Sequence, residues 1–105
     1  MGEVRVRAAS EDDVPLILSF IKELAEYERL SHEVVATEEA LRSSLFGEQP
    51  VAEVLIGDLG DEAVGFALFF HNFSTFLGKP GIYLEDLYVR PEFRGAGVGR
   101  AGTVA

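Results

Sequence analysis

Hydrophobic and polar positions change period along this chain. Within residues 3–9, Val4, Val6 and Ala8 alternate with Arg5 and Arg7, the two-residue repeat of a strand with one buried face. From Val14 the apolar residues fall at three-and-four spacing (Val14, Ile17, Leu18, Ile21, Leu24, Ala25), which predicts an amphipathic helix reaching about Arg29. Ser10 offers an N-cap, and Glu11, Asp12 and Asp13 place acids where the helix dipole favours them. Pro15 must lie near the helix start, because deeper inside it would delete a backbone hydrogen bond. Thr37-Glu38-Glu39 opens a second, shorter helix that Gly47 can end, with a loop over residues 30–36 between the two. Residues 51–56 and 63–73 are strand-like and joined by a turn cluster at 57–62. A further turn over 74–80 leads to a strand over 81–89, which Arg90-Pro91 ends. The predicted order is strand, two helices, three strands, a glycine-rich loop and a nascent helix.

That loop, Arg94-Gly95-Ala96-Gly97-Val98-Gly99-Arg100, is the segment closest to chemistry. Glycines at alternate positions let a backbone turn tightly and approach a ligand with no Cβ in the way. A helix starting just after them would aim unpaired N–H groups and its positive dipole end into the turn, which suits a phosphate. Arg94 and Arg100 add cationic charge at either end. The dinucleotide fingerprint needs its third glycine one place later, and the nucleotide-triphosphate loop needs Gly-Lys-Ser/Thr, which is absent.

What remains, Arg-Gly-x-Gly-x-Gly after Val89-Arg90-Pro91-Glu92-Phe93, resembles the acetyl-CoA-binding motif of the GCN5-related N-acetyltransferase superfamily. Tyr83-Leu84-Glu85-Asp86-Leu87-Tyr88-Val89, Phe70-His71-Asn72-Phe73 and Ala25-Glu26-Tyr27-Glu28 resemble its diamine (spermidine/spermine) branch, over about residues 3–100. The resemblance implies an α+β, acyl-CoA N-acyltransferase-type fold: a mixed, mostly antiparallel sheet flanked by helices. Family members continue past the loop with a long helix, a splayed strand, another helix and a final hairpin. Residues 1–105 are therefore expected to form a single domain carrying only the N-terminal half, with an apolar sheet face and a strand edge left uncovered.

Composition narrows the partners. The length suits one small domain, and no apolar run is long enough to cross a bilayer. The N-terminus lacks a secretory layout, and the absence of cysteine excludes thiolate chemistry and fits a reducing cytoplasm. The net charge of −9 is uneven: residues 1–78 hold fifteen acidic and five basic side chains, residues 79–105 three and four. An acidic body can attract a cationic substrate beside a basic segment that holds an anion, or can serve solubility alone. No basic stripe speaks for nucleic acid.

Acetyl transfer needs a neutral amine, an acceptor for its proton, a polarised thioester carbonyl and an acid for the leaving thiolate. The resemblance places carbonyl and pantetheine contacts on Leu87, Tyr88 and Val89, and the pyrophosphate on Arg94, Gly95, Ala96, Gly97, Val98, Gly99 and Arg100. Glu85 and Asp86 adjoin in an otherwise apolar strand, so strict alternation sends their side chains to opposite faces. A carboxylate there costs energy unless paired or solvated in a cleft. By resemblance Glu85 binds the amine and takes its proton, an ion-paired carboxylate being the alternative; for Asp86 the structural reading is preferred. Tyr27 and Glu28, ending the first helix, form a plausible amine recess, against a solvated helix end.

His71 is read as structural and His32 has no visible partner, so no metal site is expected. Phe69, Phe70, Phe73 and Phe76 are read as core and dimer packing, hence a homodimer. The family's thiolate-protonating tyrosine has no match among Tyr27, Tyr83 and Tyr88. The leading expectation is an acetyl-CoA-dependent acetyltransferase for a polyamine or diamine. Alternatives are a lysine-like amino acid as acceptor, or a non-catalytic interaction module. Gly97→Val should abolish acetyl-CoA binding in a titration by filling the space the backbone approach needs; unchanged affinity refutes the cradle.

Overall fold

The computed structural model describes residues 4–93, in which four strands form one antiparallel sheet in the order β1-β2-β3-β4. Strand β1 (Val4–Ala8) is followed by α1 (Val14–Tyr27) and α2 (Glu38–Phe46), then by β2 (Glu53–Leu59), β3 (Glu62–Ser74) and β4 (Lys79–Val89). Short 3-10 turns lie at Glu11–Asp13, Ser31–Glu33 and Pro91–Phe93. The loop 94–100 and the nascent helix after it lie outside the described residues.

The α1 periodicity acts as expected: Ile17 and Phe20 are fully buried and share one core with Leu45 of α2 and with Val54, Ile56, Phe66 and Tyr88 of the sheet. The Phe20 ring stacks on Phe66 at 5.5 Å between centroids and tilts against Tyr88 at 6.2 Å. Among the described residues both helices therefore cover the same sheet face. The entry to α1 is a 3-10 turn rather than a simple cap. The Asp13 carboxylate accepts the Ser10 N–H at 2.8 Å, and Pro15 is the second residue of the helix.

Three expectations need correction. The turn cluster at 57–62 shrinks to Gly60 and Asp61, because Leu59 pairs directly with Glu62. Gly60 has φ 64°, the conformation that a tight II′ hairpin asks of its first central residue. Likewise β4 starts at Lys79, with Pro80 inside it opposite Phe73. That position is tolerated because β4 is an edge among the described strands.

Second, β1 points its valines away from the helices. Val6 pairs with Gly57 and Val4 with Leu59 on the face opposite α1, whereas Arg7 pairs with Ile56 and reaches toward the helix start. There the Arg7 guanidinium donates to Asp58 at 2.7 Å and to both Asp13 oxygens at 2.8 and 3.2 Å. Opposite-charge partners at both ends make the charged side of this strand the helix side.

Third, Phe73 and Phe76 are not core: they are 63% and 99% exposed. The ladder between β2 and β3 stops at Phe69, so β3 and β4 run on as a two-stranded arm with no third strand paired to it among the described residues. Phe70 and Tyr83 stack across that arm at 5.0 Å.

Arg7 holds the Asp13 carboxyl below the usual carboxylate range. A lowered folded-state pKa contributes stability above the ordinary value, lost as pH falls through the lowered one. Asp13→Asn should cost about 1 kcal/mol at neutral pH, the value of a charge-assisted bond discounted for exposure. It should also flatten the acid limb of the urea midpoint against pH; a parallel wild-type curve would refute that role.

Candidate active site

Strand β4 carries most of the candidate residues, and its register decides which of them meet. Asp86 pairs with Leu68, but the next β3 residue, Phe69, pairs with Leu84. Glu85 is therefore an extra residue in the ladder, a β-bulge. Strict alternation fails there, so the expectation that Glu85 and Asp86 face opposite ways does not carry across it. The bulge puts Asp86 opposite Leu68 and Tyr83 opposite Phe70, three residues apart yet on the α1 face.

Main-chain direction follows from one bond. The Arg90 N–H donates to Val64 O at 2.8 Å, so the Tyr88 amide, two residues back, also turns toward β3. The Leu87 and Val89 amides point the other way, toward the open edge of the described sheet. Of the three residues expected to contact acetyl-CoA, Leu87 and Val89 have suitable main-chain direction. Tyr88 is 5% exposed and donates its hydroxyl to Glu23 at 3.1 Å.

The amine-side residues lie at the end of α1. Arg29 N–H donates to Glu26 O and Leu30 N–H to Ala25 O, closing the helix with a Schellman motif. Arg29 takes the left-handed conformation, φ 61°, at the position glycine usually fills. This closure leaves Tyr27 and Glu28 at the rim, both exposed. Burial, with the negative charges of Glu85 and Glu28 next, pushes the Asp86 carboxyl above its ordinary range. Asp86 thus stands in the negative field of two more carboxylates, Glu28 from the end of α1 and Glu85 from the bulge. Among the described residues no group of His, Cys, Asp or Glu has the arrangement of a metal site.

Behind this recess a polar network ties α1 to the end of β4. Glu23 accepts from Arg90 Nε at 3.1 Å and from a terminal nitrogen at 3.0 Å, besides the Tyr88 hydroxyl and Ser19 Oγ. Arg90 caps the Phe20 ring at 4.8 Å and donates to Ala63 O at 3.1 Å. Arg90 holds the Glu23 carboxyl below the usual range. Arg94 to Arg100, the expected pyrophosphate contacts, lie outside the described residues.

A family model described as "Acetyltransferase (GNAT) family" matches residues 18–102. The chain belongs to that family. It is 45% identical over 107 residues to thialysine N-epsilon-acetyltransferase of Bos taurus, covering 94% of this chain and 62% of that protein. It is 34% identical to spermidine/spermine N(1)-acetyltransferase-like protein 1 of Homo sapiens, covering 94% of this chain and 15% of the relative. Among solved structures, an aminoglycoside acetyltransferase from an uncultured soil metagenomic sample, in complex with sisomicin, superposes with a TM-score of 0.77. At 19% identity, with 96% of this chain and 65% of that one covered, it supports the fold. The chain spans less than two thirds of the length of the thialysine relative.

Within this GNAT frame the structure brings Glu28, Glu85 and Asp86 together and sets His71 apart, bonded to Glu53 at 2.7 Å on the other sheet face. The sequence reading preferred a structural role for Asp86 and did not anticipate the Glu23–Arg90 pair. Two carboxylates side by side in an apolar strand were a visible signal for a bulge; nothing in sequence paired residues 23 and 90. A raised folded-state pKa contributes stability below the ordinary value, lost as pH rises through the raised one. Asp86→Asn should accordingly raise the melting temperature at pH 7 and leave it unchanged near pH 3. Destabilisation at pH 7 would show that the carboxylate is satisfied by a cation.

Proposed function

We propose that this protein transfers acetyl from acetyl-CoA to a primary amine of a diamine or polyamine. The observation that supports the reading is the half-buried Asp86 at the β4 bulge, within the negative fields of Glu28 and Glu85 and next to the Leu87 N–H that turns off the strand edge. Carboxylates crowded at a partly buried site repel one another, and a substrate with more than one ammonium relieves that repulsion. The acidic body around them strengthens the attraction.

When bound, acetyl-CoA supplies an activated acetyl thioester. The Leu87 N–H, aimed off the strand edge, donates to the carbonyl oxygen where negative charge develops. Glu28, with the Tyr27 ring beside it, holds the distal ammonium and so orients the reacting nitrogen. Glu85 takes the proton, through a water, as the new N–C bond forms and the C–S electron pair leaves on sulfur. Asp86 strengthens the negative field at the same place. The glycine segment 94–100 holds the pyrophosphate through main-chain amides, with Arg94 and Arg100 as counter-charges.

A lysine-like acceptor is the second reading, favoured by the 45% identity to a thialysine acetyltransferase. Such an acceptor also carries a second cation, so the recess serves both. Thiol release from acetyl-CoA with putrescine, spermidine, thialysine and lysine as acceptors separates them by kcat/KM. No release above background with any amine supports a non-catalytic module. Glu85→Gln should lower kcat about 100-fold, within the span of general acid–base catalysis, with little change in acetyl-CoA affinity. Equal loss of both would remove Glu85 from the amine side.

A further inference from the structure

Arg90 stands where the chain leaves β4. Its N–H makes the last bond to β3, to Val64 O, and its carbonyl accepts the Phe93 N–H that closes the Pro91–Phe93 turn. The next residue, Arg94, begins the glycine segment. The guanidinium turns back onto α1 instead of following the backbone forward. Nε and one terminal nitrogen donate to the two oxygens of Glu23, the other terminal nitrogen donates to Ala63 O, and the plane caps Phe20. Each of its three nitrogens thus already has a protein acceptor, and Glu62 and Glu92 add negative charge around it. This environment suits a strut, and makes Arg90 a poor phosphate ligand. At its other end Glu23 lies one helical turn before Tyr27, whose neighbour Glu28 forms the rim of the recess.

We propose that the Glu23–Arg90 pair is a positioning clamp. It fixes the C-terminal end of β4, with its outward-turned Leu87 N–H, relative to the amine end of α1, and thereby sets acetyl-CoA affinity. The clamp rests on the acetyl-transfer reading above. Apolar contact alone would let α1 slide or rotate on the sheet, because hydrophobic burial is non-directional. A forked, two-point ion pair admits one geometry. Lysine cannot replace arginine here, since an ammonium has no planar fork and does not reach Glu23 and Ala63 O together.

The test is calorimetric titration of the intact chain with acetyl-CoA, with the melting temperature recorded for each sample. Glu23→Gln and Arg90→Lys should each weaken binding about tenfold, in the range that coupling between separate sites commonly reaches. The double variant should bind no more weakly than the worse single, because both remove one interaction. Asp13→Asn breaks the comparable Arg7 pair at the opposite end of α1 and should lower the melting temperature while leaving acetyl-CoA affinity unchanged. Should Glu23→Gln fail to fold, Arg90→Lys keeps the positive charge over Phe20 and carries the measurement.

Wild-type affinity in both single variants would overturn the clamp and leave the acetyl-transfer reading standing. Equal weakening in Asp13→Asn would reduce it to a general effect of stability. A wild-type chain that does not bind acetyl-CoA at all would overturn the acetyl-transfer reading, and the clamp would fall with it.

Discussion

The seating of α1 on the C-terminal end of β4 governs how the candidate side chains of α1 stand relative to those of β4. Two unlike forces meet there. Phe20 buries its ring against Phe66 and Tyr88, and Arg90 lies over the same ring while its fork holds Glu23. The aromatic contact supplies burial without direction, whereas the ion pair supplies direction with little net stability, because desolvating both charges offsets much of their attraction. Together they set the height and rotation of the helix. Since Tyr27 and Glu28 continue that helix and Leu87 and Val89 precede Arg90 in the strand, the two sets of candidate residues inherit their spacing from this contact.

Strand β4 reconciles three demands within a few residues. Its α1 face must pack a core, which Tyr88 does. Its outer edge must turn main-chain donors away from β3, as the Leu87 N–H does. It must also carry carboxylates without burying them unpaired. The bulge at Glu85 answers the last demand for Glu85 alone, which stays exposed; Asp86, on the helix side in register with Tyr88, is half-buried beside two like charges. The raised Asp86 carboxyl is the energetic trace of its burial first and of the neighbouring Glu85 and Glu28 charges second, a local loss of stability.

Much of this was legible beforehand. The three-and-four spacing located α1 almost to the residue, Pro15 marked its start, and the alternation at residues 3–9 with three strand-like runs between turns located the four described strands, with errors confined to their ends. The end errors share one cause: a turn residue's propensity is local, but a hairpin ladder extends as far as both strands can pair. Hence β2 and β3 absorbed most of the expected turn and left Gly60 and Asp61. The facing of β1 was hidden for a different reason. Alternation shows that two sides differ, and only the partners Asp13 and Asp58 decide which side looks at the helices.

Local pattern alone determined the elements and their order over the described residues, because periodicity and turn chemistry act over a few neighbouring residues. Only tertiary structure decided that Glu85 is a bulge, that Asp86 joins the recess, that Phe73 and Phe76 stay outside the core, and that Glu23 meets Arg90. Each of these depends on register or on contacts between distant segments, such as the 67 residues separating Glu23 from Arg90. A single chain read in order carries no record of which partner will stand opposite.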